Sequence, residues 1–311
     1  MNLLAIQSMS QTMTYQERVE PRRQPRPVRA LRVDTAFGCP RDPLNNRFVY
    51  ITLSSRARGL SVGVNLNPDK RCNFDCVYCE VNRGKAERDA QVDVDVMAEE
   101  LLQTLRWAHD GGVKELPRYS QLPAELLRPR HVALSGDGEP TQCAAFAEAV
   151  QAVVHVRAVG SVPVFKMVLI TNTTGLNRPA VQEGLKYFTS RDEVWAKLEA
   201  GTQAYMDKIN RPGVSLESIQ SNILSLAQQR PVIIQSLFPA VNGEGPSDEE
   251  ITQYALRLKE LKDHGAQIPL VQIYSATRPT PHSECGHLPL MALSRIAQAV
   301  TQTTGLKAEV F

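Results

Sequence analysis

At 311 residues, with 42% hydrophobic and 22% charged residues, the chain can bury one large α/β domain or two small ones. A formal net charge of +2 is too small to argue for nucleic acid by itself, and no apolar run approaches the roughly 20 residues that span a bilayer. The N-terminal LLAI is too short for a secretory core, so a cytoplasmic protein is expected. Six cysteines in a chain of this length exclude a disulfide scaffold and favour metal ligation where they cluster.

The chain opens on an arginine- and proline-rich stretch, RVEPRRQPRPVRALR (Arg18–Arg32), with a single glutamate. Residues 1–57 read as a basic, largely extended region that suits the phosphates of RNA or DNA, or equally a solvated tail. From there, residues 58–280 alternate β-rich runs with helical patterns six times. The runs are LSVGVNL, HVALS, VFKMVLIT, EVWAKLEA, PVIIQSLF and PLVQIYSA, mostly continuous enough for parallel strands covered on both faces. The intervening helices show apolar residues three and four apart, beginning with Val94, Met97, Leu101 and Leu105 and then Phe146, Val150 and Val153. Ser215 is a candidate N-cap, and Ser247 with Glu250 has capping-box spacing. Residues 281–311 are expected to form a loop and a helix near Leu290–Val300 that packs on the core.

Six βα units in a row predict a parallel sheet with crossover helices, as an open sheet or a partial (β/α)6 barrel. In either, chemistry gathers where strands end and loops lead into helices. The polar, glycine-rich segments fall there: the cysteines after the first strand, GDGEPT after the second, TNTTG after the third and GTQAYMDKINRP after the fourth. TRPTPHSECGH follows the sixth.

RCNFDCVYCE (Arg71–Glu80) puts Cys72, Cys76 and Cys79 in a C-x3-C-x2-C trio with no fourth cysteine nearby. Three thiolates can hold three corners of a 4Fe–4S cubane and leave one iron open. A zinc trio completed by a histidine, or an electron carrier completed by Cys143 or Cys285, are the alternatives.

The trio, with Tyr78 just before its last cysteine, resembles the signature of the radical S-adenosylmethionine superfamily. That resemblance implies a partial TIM-like barrel, a 4Fe–4S cluster and S-adenosyl-L-methionine as cofactors. It also implies reductive cleavage to a 5′-deoxyadenosyl radical, fed by a low-potential donor of flavodoxin or ferredoxin type. SGDGEPT matches the family's turn for the cofactor ammonium at Gly136, Asp137, Gly138 and Glu139. Asn172 and Thr173 match a polar cofactor contact, and Lys197, Glu199 and Gln235 point toward the same bowl.

Over residues 47 to 280 the chain is similar to the wyosine-type tRNA-modifying branch, which makes a tRNA base the expected substrate. It departs from the archaeal members in lacking three further upstream cysteines for a second cluster, since only Cys39 lies upstream. Activation of a glycyl-radical partner protein is the competing reading, and a non-catalytic zinc or iron–sulfur module a third. Arg211 and Arg278 sit at strand ends where a guanidinium takes phosphate or carboxylate. His282, Cys285 and His287 form an H-x2-C-x-H pattern that suits an auxiliary metal or, at Cys285, hydrogen-atom donation; an incidental polar loop is the alternative.

Overall fold

The structure, a computed structural model, describes residues 43–83 and 89–311. The arginine-rich stretch and most of the expected extended region lie outside the described residues. In chain order the elements begin with β1 (Val49–Ser54), β2 (Gly59–Val64), α1 (Val94–His109), α2 (Ala124–Leu127), β3 (Pro129–Leu134) and α3 (Phe146–Val159). They continue with β4 (Lys166–Thr171), α4 (Pro179–Leu185), β5 (Glu193–Lys197), α5 (Gln203–Ile209), α6 (Leu216–Ala227) and β6 (Val232–Leu237). The last are β7 (Ala240–Val241), α7 (Asp248–Asp263), β8 (Val271–Tyr274), β9 (Cys285–Gly286), α8 (Leu290–Thr304) and β10 (Ala308–Val310).

Strands β2, β3, β4, β5, β6 and β8 lie side by side in parallel, in the order the chain reaches them. These are the six runs read from the sequence, and the partial (β/α)6 barrel is the curled sheet they form. Two edge strands extend it. β1 pairs antiparallel with β2 through a tight turn, and β10 pairs parallel with β8. β1 falls within the region expected to be extended, so the sheet starts earlier than the apolar runs indicate. Its alternation explains why: Val49 and Ile51 are buried, with α1 packed over this strand, while Tyr50 and Thr52 face inward to the cavity. The Glu100 carboxylate on α1 accepts from the amides of Arg47, Phe48 and Val49 at 2.6, 2.8 and 3.2 Å, which fixes the entry to β1.

The two faces of the sheet differ in chemistry. Valine, leucine and isoleucine on the outer face pack against the helices. The inner face carries Ser61, His131, Trp195, Lys197, Gln235 and Tyr274. The sheet curls until its edges come within side-chain reach. Arg58, after β1, pairs with Glu309 on β10 at 3.0 Å. Arg278, after β8, donates to Thr52 Oγ1 and the Leu53 carbonyl of β1 at 3.0 and 3.1 Å.

The expected caps form in part. Ser215 Oγ accepts from the Ser218 amide at 3.2 Å and Ser247 Oγ from the Glu250 amide at 3.1 Å. The Glu250 side chain does not reach back to its own cap. It accepts instead from Gly201 N at 2.5 Å and Thr202 Oγ1 at 2.6 Å, tying α7 to the loop after β5. Helix α8 spans the expected C-terminal position, and Gly305, at φ 68°, ends it in the left-handed region before β10.

Candidate functional site

A cavity of about 390 Å³ opens within the curl of the sheet. One side is the cysteine loop after β2, with Cys72, Cys76, Tyr78 and Cys79; facing it is the turn Gly136–Glu139 after β3. Asn65, at the end of β2, joins the two loops: its Oδ1 accepts from the amides of Asn67 and Asp137, both at 3.1 Å, and its Nδ2 donates to Asp137 Oδ2 at 2.8 Å. The Glu139 amide also donates to the Arg71 carbonyl at 3.1 Å. Both glycines are required by this approach. A Cβ on Gly136 would lie 2.3 Å from Asn65 Oδ1, and one on Gly138 2.0 Å from the Arg71 carbonyl oxygen.

The cysteine loop is braced from beneath. Amides of Asp75 and Val77 donate to the carbonyls of Asn210 and Ile209 at 3.0 and 2.9 Å. Asn210 Nδ2 contacts Cys76 Sγ at 3.4 Å, Tyr78 Oη at 3.0 Å and Glu199 Oε2 at 2.7 Å, and the Tyr78 hydroxyl donates to the same Glu199 oxygen. Burial pushes the Cys76 thiol up to about 12, Lys197 and the Asn210 hydrogen bond opposing it. Burial also raises Cys72, against the amide of Phe74, which lies 3.5 Å from its sulfur. These two thiols, Cys72 and Cys76, are therefore protonated at neutral pH unless a cation takes the place of the proton.

Lys197 ends β5 at the floor of the cavity, its Nζ 5.3 Å over the Tyr78 ring. Burial works against its charge, but Glu199, Tyr274, Cys76 and Cys72 together raise its pKa, so it stays an ammonium. Gln235, in register with it on β6, is buried, and its Nε2 has no hydrogen-bond partner. A charged ammonium and an orphaned amide donor thus face the space between the two loops.

Other positions singled out in the sequence also make contacts within the protein. Glu139 lies at the cavity edge, but its carboxylate already accepts from Thr141 N, Thr141 Oγ1, Thr171 Oγ1 and Asn172 N, at 3.1, 2.6, 2.6 and 2.7 Å. Three of these donors go to Oε1 and one to Oε2, so Glu139 fastens β3 to β4. Asn172 lines the cavity and donates to Asn73 Oδ1 at 2.9 Å, bracing the cysteine loop. Thr173 is fully buried beyond the cavity, at φ 71° with its hydroxyl unpartnered, and Glu199 sits beneath the cysteine loop. Arg211 is outside the cavity lining and pairs with Glu284 at 3.0 Å. Arg278 lines it, but holds Glu80 at 3.1 Å along with β1. Cys285 belongs to β9, paired with Val241 away from the cavity lining, and burial raises its thiol. Among the described residues no three His, Cys, Asp or Glu side chains converge on a single-ion site, His282, Cys285 and His287 included.

The residues the sequence reading missed are Asn65, Asn210 and Arg56. Asn65 lies within LSVGVNL and Asn210 within GTQAYMDKINRP, segments already singled out, whereas Arg56 precedes the first run and carried no signal of its own.

No protein-family model matches the chain. Among solved structures, a radical SAM methyltransferase from Sphaerobacter thermophilus superposes with a TM-score of 0.59 at 16% identity, covering 85% of this chain and 68% of that one. TYW1 with a lysine–pyruvate adduct bound gives 0.54 at 15%, covering 84% and 85%. Streptococcus suis SuiB bound to S-adenosylmethionine gives 0.55 at 16%, covering 82% and 52%. The fold is that of radical SAM enzymes, as the cysteine trio and the glycine turn led the sequence to predict. In sequence, the chain is similar to a UPF0026 protein of Helicobacter pylori strain J99, 27% identical over 187 residues, 59% of this chain and 53% of that protein. It thus spans about half the length of that relative. A UPF0026 protein of strain 26695 is 25% identical over 241 residues, 76% of this chain and 68% of its own. Among the described residues, no helix is long and apolar enough to cross a membrane.

Proposed function

We propose that the protein is a cytoplasmic radical SAM enzyme, in which Cys72, Cys76 and Cys79 ligate a 4Fe–4S cluster whose open iron binds S-adenosyl-L-methionine. The observation that carries this is the cavity wall: three thiols on one loop, hydrogen-bonded through Asn65 to a glycine turn that faces them. Bound together, the two cofactors supply hydrogen-atom abstraction from a substrate. The donor set fits them. Three sulfurs leave one coordination position open, Lys197 offers an ammonium to a carboxylate, and Gln235 Nε2 offers an unused donor. For the cofactor ammonium we infer acceptors in the turn Gly136–Glu139, among them Glu139 Oε2, which accepts a single hydrogen bond. Asn210, Tyr78 and Glu199 keep the loop in place. Electrons come from a flavodoxin- or ferredoxin-type donor.

Protein reconstituted anaerobically should hold one cluster and yield 5′-deoxyadenosine on reduction. Alanine at any one of Cys72, Cys76 or Cys79 should remove both, and cleavage retained by Cys76→Ala would refute the assignment. A zinc module would instead carry stoichiometric zinc in air and cleave nothing.

For the substrate we propose a tRNA base. The support is the likeness of residues 47 to 280 to the wyosine branch and the arginine-rich stretch at the start of the chain. Mass spectrometry of nucleosides from cells with and without the gene is the test; an unchanged profile excludes tRNA, while a glycyl radical appearing on a partner protein would mark an activase.

A further inference from the structure

Three arginines line the cavity: Arg56, Arg83 and Arg278. Arg83 donates to the Lys70 carbonyl, and Arg278 is held by Glu80, Thr52 and Leu53. Arg56, in the turn between β1 and β2, makes no hydrogen bond or ion pair among the described residues, and its Nε is buried without an acceptor. Its guanidinium carbon lies 3.9 Å from the centroid of the Tyr274 ring. A stacked guanidinium keeps its N–H edge free to donate in plane, and a buried N–H without an acceptor is costly to maintain.

The acids of the cavity are engaged elsewhere: Asp137 by Asn65, Glu139 by its four donors, Glu80 by Arg278. His131, which with Ser61 also lines the cavity, contributes no negative charge. Burial, with Lys166 and Arg56 adding to it, pushes the imidazole down to about 3, and its Nε2 shares a hydrogen bond with Ser61 Oγ at 2.8 Å.

We propose that Arg56, stacked on Tyr274, binds an oxyanion of the substrate, a carboxylate or a phosphate. Calling that ligand a substrate rests on the radical-enzyme reading; the anion site itself does not. Two cations divide the cavity. Lys197 Nζ lies 5.3 Å over the ring of Tyr78 in the cysteine loop, whereas the Arg56 guanidinium lies 3.9 Å over the ring of Tyr274 at the end of β8. The cofactor carboxylate therefore falls to Lys197, and Arg56 is left for the second ligand.

The test uses full-length, cluster-reconstituted protein titrated anaerobically with inorganic phosphate and, separately, with acetate at constant ionic strength. Fluorescence of Trp195, which lines the same cavity, reports binding, and equilibrium dialysis of S-adenosylmethionine is run on the same samples. One oxyanion should bind saturably, and Arg56→Gln should weaken it about tenfold or more, since charge-assisted bonds are lost. S-adenosylmethionine affinity should change less than about twofold, the cofactor not touching Arg56. Preference for phosphate identifies a nucleotide or RNA source, and preference for acetate a carboxylic acid. Arg56→Lys keeps the charge without the planar fork; it should give intermediate weakening and decides the matter if Arg56→Gln does not fold. Oxyanion binding that is absent, or equal in all three proteins, overturns the proposal. So does loss of S-adenosylmethionine binding in Arg56→Gln, which would give the arginine to the cofactor. Arg56-dependent oxyanion binding in a protein that binds no S-adenosylmethionine would uphold the anion site and sink the radical-enzyme reading.

Discussion

A Cβ at Gly138 would lie 2.0 Å from a backbone oxygen, Arg71 O, and 2.6 Å from Asn67 Cβ. Neither can move without shifting the cysteine loop, so Gly138→Ala should destabilise the protein by about 1–3 kcal/mol. It should also lower iron and sulfide per chain while leaving far-ultraviolet circular dichroism unchanged; full cluster loading at wild-type stability would contradict the packing argument. The sequence reading matched this glycine to the turn that receives the cofactor ammonium. In the structure the cysteine loop also packs directly against it. Glu139 shows the same limit. Its carboxylate was legible, but its four donors come from Thr141, Thr171 and Asn172, two of them on or beside another strand.

Between elements, Asp192 does for β4 and β5 what Glu139 does for β3 and β4. It precedes β5, is fully buried, and accepts from Arg157 Nη1 of α3 at 2.7 Å, the Met167 amide of β4 at 2.8 Å and Thr189 N and Oγ1 at 2.8 and 2.9 Å. Burial favours the protonated form, but Arg157, the two amides and the hydroxyl outweigh it and hold the carboxyl below the usual range. A folded-state value below the unfolded one means stabilisation that is complete at neutral pH and fades as pH falls through the folded value. Asp192→Asn should therefore cost about 3 kcal/mol at pH 7. In urea titrations the gap to wild type should narrow below about pH 4; a gap constant with pH would disprove the ionic origin. The six central strands and the longer helices were legible because apolar periodicity marks them. The short helices α4 and α5 and edge strands β1 and β10 were not, since so few residues carry little periodic signal.

Across the whole molecule, the curl of the sheet brings β1 beside β8 and β10, bridged by Arg58–Glu309 and Arg278–Leu53. Closure of this kind places the β1–β2 turn, and Arg56 with it, at the wall of a cavity whose cysteines come from the loop after β2. If RNA is the substrate, deleting residues 1–32 should weaken tRNA binding and flatten its dependence on salt, because fewer counterions are released. Filter binding across a salt series reads this directly, and an unchanged slope would separate the arginine-rich stretch from substrate recognition.

Spacing alone determined the cysteine trio, because three thiols on one short loop must share a neighbourhood whatever the rest of the chain does. Apolar runs alternating with helical stripes likewise determined the parallel sheet, and with it the end of the sheet where polar loops collect. Which side chains enter the cavity was decided only by the tertiary structure. Asn172 lines it while its neighbour Thr173 is buried beyond it; Lys197 lines it while Glu199, two residues on, supports the cysteine loop from below. Past the last ladder bond of a strand the side-chain alternation no longer holds, and the hydrogen bonds of the adjoining loop set each direction. Arg56 was furthest from reach of the sequence, since its place depends on β1 and β8, 217 residues apart from Ser54 to Val271, meeting across the curl of one sheet.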